Sequence, residues 1–254
     1  MKEVRPFFRS LAPKVSLARA LSKMGFCSRG QAVKWIEEGR VRVNGRGEKG
    51  GAGKVDLERD RIEVDGRIIA SSKKVYLMLN KPRGLVTTAQ DEKGRATVYD
   101  CLKGRDLPWI APVGRLDKAS EGLLLFTNDT PWAAKVMSPE AHLDKIYHVQ
   151  IDCLADEDLL AKITRGVPAK EGDFLRPKRV RRLRQGKRNG WLEVVLDEGK
   201  NRHIRRLLTS LGVNVLRLVR VAIGPLALGD LPKGEVRHLT EEEQVSLIKA
   251  GERG

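Results

Sequence analysis

Apolar residues recur at helical spacing at Leu17, Ala20, Leu21 and Met24, and Gly25 is placed to end that helix. Ser28 can cap a second helix whose apolar positions are Ala32, Val33 and Ile36, with Gly39 as its stop. The period then changes from helical to alternating. Val41 and Val43 alternate with Arg40 and Arg42, Asn44-Gly45 supplies a tight turn, and "RIEVDGRII" reads as a further strand closing near Ile69. This predicts a compact module over residues 15–70, preceded by a basic tail over residues 1–14 and followed by a short linker, "ASSKK", at 70–74.

A larger domain is predicted over residues 75–250. Val75, Leu77 and Leu79 alternate with Tyr76, Met78 and Asn80, and Lys81-Pro82 ends that strand because proline cannot donate to a ladder. Strand-like runs follow at "GLLLFT", "KIYHVQI", "GWLEVVLD" and "VNVLRLVRVAIG". Helical patterns fall near 131–137, 156–165, 200–211 and 241–250. The expected class is α+β: a small basic module followed by a larger domain with a mostly antiparallel sheet.

Composition narrows the partner. The 254 residues contain 49 Lys and Arg against 33 Asp and Glu, a formal charge of +16, which points to a polyanion. In the first module Arg19, Lys23, Arg29, Lys34, Arg40 and Arg42 are clustered, and "RPKRVRRLRQGKRNG" (Arg176–Gly190) is the densest basic stretch, where Gln185-Gly186 and Asn189-Gly190 predict a hairpin that either meets a polyanion or is a solvated charge run. Three widely spaced cysteines, Cys27, Cys101 and Cys153, with no CxxC, indicate neither a zinc ribbon nor a disulfide framework. The four histidines form no metal-binding pattern. "MKEVRPFFRSLAPK" lacks the apolar core of a signal peptide and no stretch reaches membrane-spanning length, so a cytoplasmic protein is expected. "EKGGAGKV" (Glu48–Val55) nearly spells a phosphate-binding loop. Glu48 and Val55 occupy its defining positions and no helix follows, so it reads as a hairpin insertion.

The chemistry sits in four clusters of the larger domain: "LNKPRG" (Leu79–Gly84), "GRLD" (Gly114–Asp117), "KIY" (Lys145–Tyr147) and "EGKNRHIRRLL" (Glu198–Leu208). Asp117 lies between Arg115 and Lys118, just before the apolar run Leu123–Phe126. By itself it is either a structural ion-pair acid or a nucleophile. Tyr147 alone is equally a half-buried strand tyrosine.

The first module, through "LSKMGFCSRGQAVKWIEEGRVRVNGR", resembles the S4 RNA-binding domain, in which the Ser-Arg at the second helix start and the G-x-V-x-V-N-G ending occur together. The run "NKPRGLVTT", "GRLDKASEGLLLFTND", "KIYHVQ", "EGKNRHIRRLL" and "VRVAIGPLALGDLPKGEVRHLT" resembles the RsuA family of ribosomal RNA pseudouridine synthases, over about residues 15–240. His203 stands where that pattern more often has Gln.

The resemblance implies an enzyme that detaches uracil from its sugar, turns the ring and rejoins it through carbon five, without cofactor or metal. It implies Asp117 as nucleophile, attacking either sugar or base, and Arg205 as the cation that keeps it ionised. An adjacent arginine lowers an Asp pKa by about 1–3. Tyr147 would stack on the extruded uracil and move a proton. Arg115 would fill the gap left by the flipped base, and Arg202 joins it as a candidate substrate contact. Lys81 is read as a phosphate contact or a support for Tyr147, with packing as the alternative, and Asn201 and His203 as scaffolding of the helix start. The expected partner is ribosomal RNA, of the large subunit before the small, or an assembling subunit, met by a monomer. A ribosome-assembly factor without catalysis shares the basic charge and the S4-like module but has no use for Asp117, Tyr147 and Arg205 together. A methyltransferase would need a glycine-rich cofactor loop, which is absent from the sequence.

Overall fold

The computed structural model describes residues 14–48, 50, 53–168 and 173–252. They fall into two compact units. One ends at Lys73 and includes Leu107–Trp109, and the other is formed by Lys74–Asp106 and Ile110 onward. The expected basic tail lies, but for Lys14, outside the described residues.

In the smaller unit, β1 (Val15–Ser16) leads into α1 (Leu17–Lys23) and α2 (Arg29–Glu37). Gly25 turns the chain between the helices with φ 72°. The Ser28 hydroxyl accepts the Gln31 amide at 3.0 Å, as its capping position requires. Strands β2 (Val41–Val43) and β3 (Arg46–Gly47) form a hairpin whose turn residues Asn44 and Gly45 both have positive φ. Backbones of that hand match the twist of paired strands.

The turn 48–53 lies partly outside the described residues, but its exit, β4 (Lys54–Val55), pairs with β1 and not with β3. The insertion is therefore not a simple hairpin. Strands β5 (Ile62–Val64) and β6 (Arg67–Ile68) complete the order β3-β2-β5-β6. Leu17, Leu21, Ile36, Val41 and Ile62 are buried at its centre. Val33, expected among the apolar contacts of α2, points outward and is 43% exposed. Arg19, Arg29, Lys34, Arg40 and Arg42 are all exposed.

The larger unit runs β7 (Tyr76–Lys81), β8 (Ala111–Val113), β9 (Glu121–Thr127), α3 (Thr130–Met137), β10 (Lys145–Ile151), α4 (Glu157–Arg165), β11 (Val167–Pro168), β12 (Phe174–Leu175), β13 (Arg179–Gln185), β14 (Gly190–Leu196), α5 (His203–Ser210), β15 (Val215–Ile223), β16 (Leu226–Ala227), β17 (Val236–His238) and α6 (Glu241–Gly251). The main sheet has the order β13-β14-β10-β15-β9-β7-β17, with β16 on β15 and β8 on β9. Its only parallel pairing among the described residues joins β15 to β9, so the sheet is mixed and mostly antiparallel. The basic stretch forms the β13–β14 hairpin.

All seven residues of β9 are buried, which is why Leu123–Phe126 form an apolar run without alternation. One edge of β9 is occupied by β7. The other is shared: β8 pairs at Leu125–Thr127 and β15 at Glu121–Gly122. The segment 114–120 thus leaves β8 and enters β9 where the ladder changes partner. Gly122 is required there. Its φ is 102°, and a Cβ would sit 2.2 Å from the Arg220 carbonyl oxygen.

Two cores form on opposite faces. Val149, Leu192, Val194, Leu207 and Leu208 pack beneath α4 and α5. Met78, Leu123, Leu125, Trp132 and Leu247 pack beneath α3 and α6. No described helix is long and apolar enough to cross a membrane.

Candidate active site

The segment Leu116–Ser120 has no regular structure, yet each of its five carbonyls has a donor. Thr87 Oγ1 donates to Leu116 O at 2.7 Å, and the Gly84 amide donates to Lys118 O at 2.7 Å. Arg205 Nη2 donates to Ala119 O at 3.1 Å. Lys81 Nζ donates to Ser120 O at 2.8 Å and to Asp117 O at 3.2 Å, and its third bond goes to Pro82 O at 3.1 Å. Asp117 O also accepts the Ser120 amide. The conjunction of "NKPRGLVTT" with "GRLDKAS" therefore has a physical basis: Lys81, Gly84 and Thr87 of the first hold the carbonyls of the second.

Lys81 is completely buried, so the expected phosphate contact is corrected. Its ammonium is used up by three backbone carbonyls and cannot meet solvent or RNA. Burial pushes its pKa down to about 8, against the opposing charges of Glu121 and Asp117. At neutral pH the ammonium form still predominates and all three donors are available.

Asp117 is half-buried in this held segment, and its carboxylate makes no hydrogen bond or ion pair with any described residue. Arg205, the expected ion partner, sits on the first turns of α5 and is half-buried. It donates to Ala119 O and to Val215 O at 3.4 Å, and its Nε is buried without a partner among the described residues. Its guanidinium therefore grips the segment that carries the acid without closing a salt bridge to it. Burial lowers the Arg205 pKa, Arg202 and Arg83 add to this, and the charge of Asp117 opposes it. The cation thus lies within the electrostatic field of the acid.

Tyr147 is half-buried on β10, opposite Val194 on one side and Arg220 on the other. Arg220 pairs with Gly122, and Gly122 with Lys81, so Tyr147, Arg220, Gly122 and Lys81 form one transverse row over four strands. Asp117 lies five residues ahead of Gly122 on the segment entering that row. Arg115 and Arg202 are exposed, Arg202 as the left-handed residue that begins α5 with φ 48°. His203 is buried as the first residue of α5, with Nδ1 3.3 Å from Glu198 Oε1, which fits a scaffolding place. Asn201 is exposed. Among the described residues no cluster of three His, Cys, Asp or Glu side chains is placed to hold a metal.

Three further groups were given no role by sequence reasoning. Arg220 is buried, donates from Nε to Leu123 O at 2.8 Å, and keeps Nη2 without a hydrogen bond among the described residues. Lys145, the Lys of "KIY", is held below its ordinary pKa by burial and then by Arg220. Glu121 is buried and takes a two-point contact from Arg217 at 3.1 and 3.0 Å and a contact from Lys233 at 2.6 Å. Arginine at an inward position of the apolar run "VLRLVRVAI" was the available signal for Arg220.

A mixed sheet in which strand β9 is entered through a held, acid-bearing segment, with a strand tyrosine and a helix-borne arginine in the same unit, is the arrangement that the comparisons place among RNA-modifying enzymes. Residues 75–210 match the RNA pseudouridylate synthase family and residues 15–46 the S4 domain. An uncharacterised RNA pseudouridine synthase of Aquifex aeolicus is 37% identical, with 93% of this chain and 95% of that protein covered. The ribosomal large subunit pseudouridine synthase B of Bacillus subtilis is 36% identical, with 94% and 97% covered. A crystal structure of a pseudouridylate synthase superposes with a TM-score of 0.64 at 28% identity, covering 92% of this chain and 99% of that one. The chain belongs to the RNA pseudouridine synthase family and carries an N-terminal S4 domain.

Proposed function

We propose that the protein isomerises a uridine of large-subunit ribosomal RNA, in the cytoplasm and as a monomer, with Asp117 as the nucleophile. The observation that carries the assignment is the contrast within one segment: the five carbonyls of Leu116–Ser120 are all bonded, while the Asp117 carboxylate is left without a partner. A structural acid would spend its oxygens on an arginine or on amides. An acid held in position with both oxygens free is arranged to attack.

In the reaction the N1–C1′ bond breaks, the uracil turns while held, and a C5–C1′ bond forms. The C5 proton leaves and N1 is protonated, so the composition is unchanged. Asp117 bonds transiently to sugar or base during this exchange, and that bond breaks again before the product leaves, returning the free carboxylate. Arg205 holds the acid's segment through Ala119 O and places its positive charge beside it. Tyr147, one strand from Arg220, stacks on the extruded ring and relays the proton. Arg115 and Arg202, both exposed, meet the RNA. Arg115 occupies the place vacated by the base, which offsets part of the roughly few kcal/mol that flipping costs. Lys81 acts by positioning and touches no substrate.

The large-subunit target is favoured by the Bacillus subtilis relative, whose length is almost wholly matched. The test is incubation of the purified protein with large- and small-subunit ribosomal RNA transcripts, with new pseudouridines located by carbodiimide-dependent primer extension. One or a few stops are expected in the large-subunit transcript. Asp117→Asn should bind the RNA with unaltered affinity and form none. Turnover by Asp117→Asn would refute the nucleophile, and modification of small-subunit RNA alone would refute the target.

A further inference from the structure

We propose that the uncovered face of the β13–β14–β10–β15 half-sheet binds one unpaired nucleotide of the RNA, at a site separate from the uridine being isomerised. The proposal rests on the reading of RNA as substrate but needs none of the catalytic assignments.

Strand alternation separates the two faces. Tyr147, Val149, Leu192, Val194 and Leu218 face the core under α4 and α5. The intervening residues His148, Trp191, Glu193, Arg217 and Val219 face the other way. The cluster under α3 and α6 takes in Ile223 at the end of β15, while Leu183, Val219 and Val221 remain half-exposed on this side. Alternation alone would leave such a face bland and polar. Instead it contains a cavity of about 330 Å³, lined by His148, Leu183, Arg184, Trp191, Val219 and Val221. This is at the small end of ligand-binding pockets and suits one nucleobase.

The lining matches that ligand in chemistry as well as size. Leu183, Val219 and Val221 supply an apolar floor. Trp191 supplies a flat wall, and two guanidinium groups lie over its ring, Arg184 at 4.9 Å and Arg217 at 5.6 Å from the centroid. Aromatic rings and arginine planes are the surfaces on which unpaired bases stack. His148 adds a second ring. Burial keeps it below its ordinary pKa, with Arg181 and Arg184 acting in the same direction against Glu193, so at neutral pH it is a flat uncharged group.

Charge selects a nucleotide over an apolar or cationic guest. Arg179, Arg181, Arg184 and Arg217 stand here against two carboxylates, Glu193 and Glu121. Arg184 is exposed and has no carboxylate partner among the described residues, and it adjoins the hairpin tip with the exposed Lys187 and Arg188. A phosphate next to a seated base would meet this row of cations. An acidic peptide would use the same charges but leave the stacking walls idle.

The experiment measures binding of a short single-stranded oligouridylate and of the large-subunit transcript to the full chain and its variants. Arg184→Ala and Trp191→Ala should each weaken the oligouridylate complex by about tenfold. Trp191→Phe should retain most of the affinity. Lys249→Ala, which removes an exposed charge from α6, should have little effect. Pseudouridine formation at saturating transcript should stay at the wild-type rate in Lys249→Ala. Trp191 is half-buried, so melting temperatures accompany the series, and the exposed Arg184 carries the test if Trp191→Ala does not fold.

The proposal is overturned if Arg184→Ala binds like wild type, or if Lys249→Ala weakens binding equally, which would reduce the face to undirected charge. It is also overturned if both RNAs bind normally to Arg184→Ala but association with assembled ribosomal subunits falls, because the face would then dock a protein. A wild-type protein that forms no pseudouridine yet reproduces the binding pattern would refute the enzymatic reading while supporting this one.

Discussion

Replacing Lys81 by Met separates holding the fold together from holding the acid in place. Met has nearly the same length and is well suited to a fully buried site. The change removes an ammonium whose burial is unfavourable. The depression from 10.5 to about 8 corresponds to about 3 kcal/mol. It also strips the donor from Pro82 O and Ser120 O, while Asp117 O keeps the Ser120 amide. Two buried acceptors left unpaired cost about 1–3 kcal/mol each. The terms largely cancel, so the variant should unfold within about 3 kcal/mol of wild type. Its Asp117 segment, however, loses the anchor between β7 and β9, and a displacement of about 1 Å at a reacting group costs about 10²-fold in rate. Chemical denaturation and single-turnover pseudouridine formation on the same preparations give the two numbers. A Lys81→Met enzyme with near-normal turnover, or one that fails to fold, would show that the ammonium is not what positions the acid. The wild-type protein carries a matching pH signature. Between pH 8 and 10.5 the unfolded chain retains the Lys81 proton that the folded chain has released, so this group makes stability rise with pH across that window. Over the same window the segment loses its charged anchor, so turnover should fall.

Three other changes probe separate parts of the unit. Gly122→Ala would force a Cβ against the Arg220 carbonyl at positive φ, and denaturation should show a loss of at least about 3 kcal/mol or no folded protein. Tyr147→Phe keeps the ring and removes the hydroxyl, so RNA binding should persist while the single-turnover rate drops by about 10²–10⁴-fold if the hydroxyl moves the proton. Glu193 is held below its ordinary pKa, chiefly by the hydrogen bond from Arg181. Its stabilising contribution is therefore present above about pH 4.3 and lost as pH falls through the folded value. Glu193→Gln should flatten the acid limb of the stability curve, and an unchanged limb would contradict the pairing.

Local signals carried the element types well. The Ser28 cap, the Asn44-Gly45 turn, the continuous apolar run of β9 and the β13–β14 hairpin all follow from short-range chemistry that is intact in the fold. Elements fixed by distant contacts were not legible. Periodicity could not show that Lys54–Val55 would find β1, nor that Val33 would point outward. The site divides in the same way. An acid between two cations and a tyrosine in a strand were visible as candidates, and family resemblance ordered them. What Lys81 does was not, because three carbonyls converging on one ammonium come from residues 1, 36 and 39 positions away in the chain. The same limit applies to Arg205, which looked like a partner for the Asp117 carboxylate and instead grips the backbone two residues beyond it.

Strand β13 ends the main sheet and leaves one row of amides and carbonyls facing outward, the kind of margin along which protein chains zip together into aggregates. Arg179, Arg181, Arg182 and Arg184 project from it, so a second molecule approaching in the same orientation meets like charge at nearly every step. Neutralising these arginines to weaken contact with RNA would therefore also remove the guard on that margin, and such variants should be prepared dilute and checked by light scattering before any loss of function is interpreted.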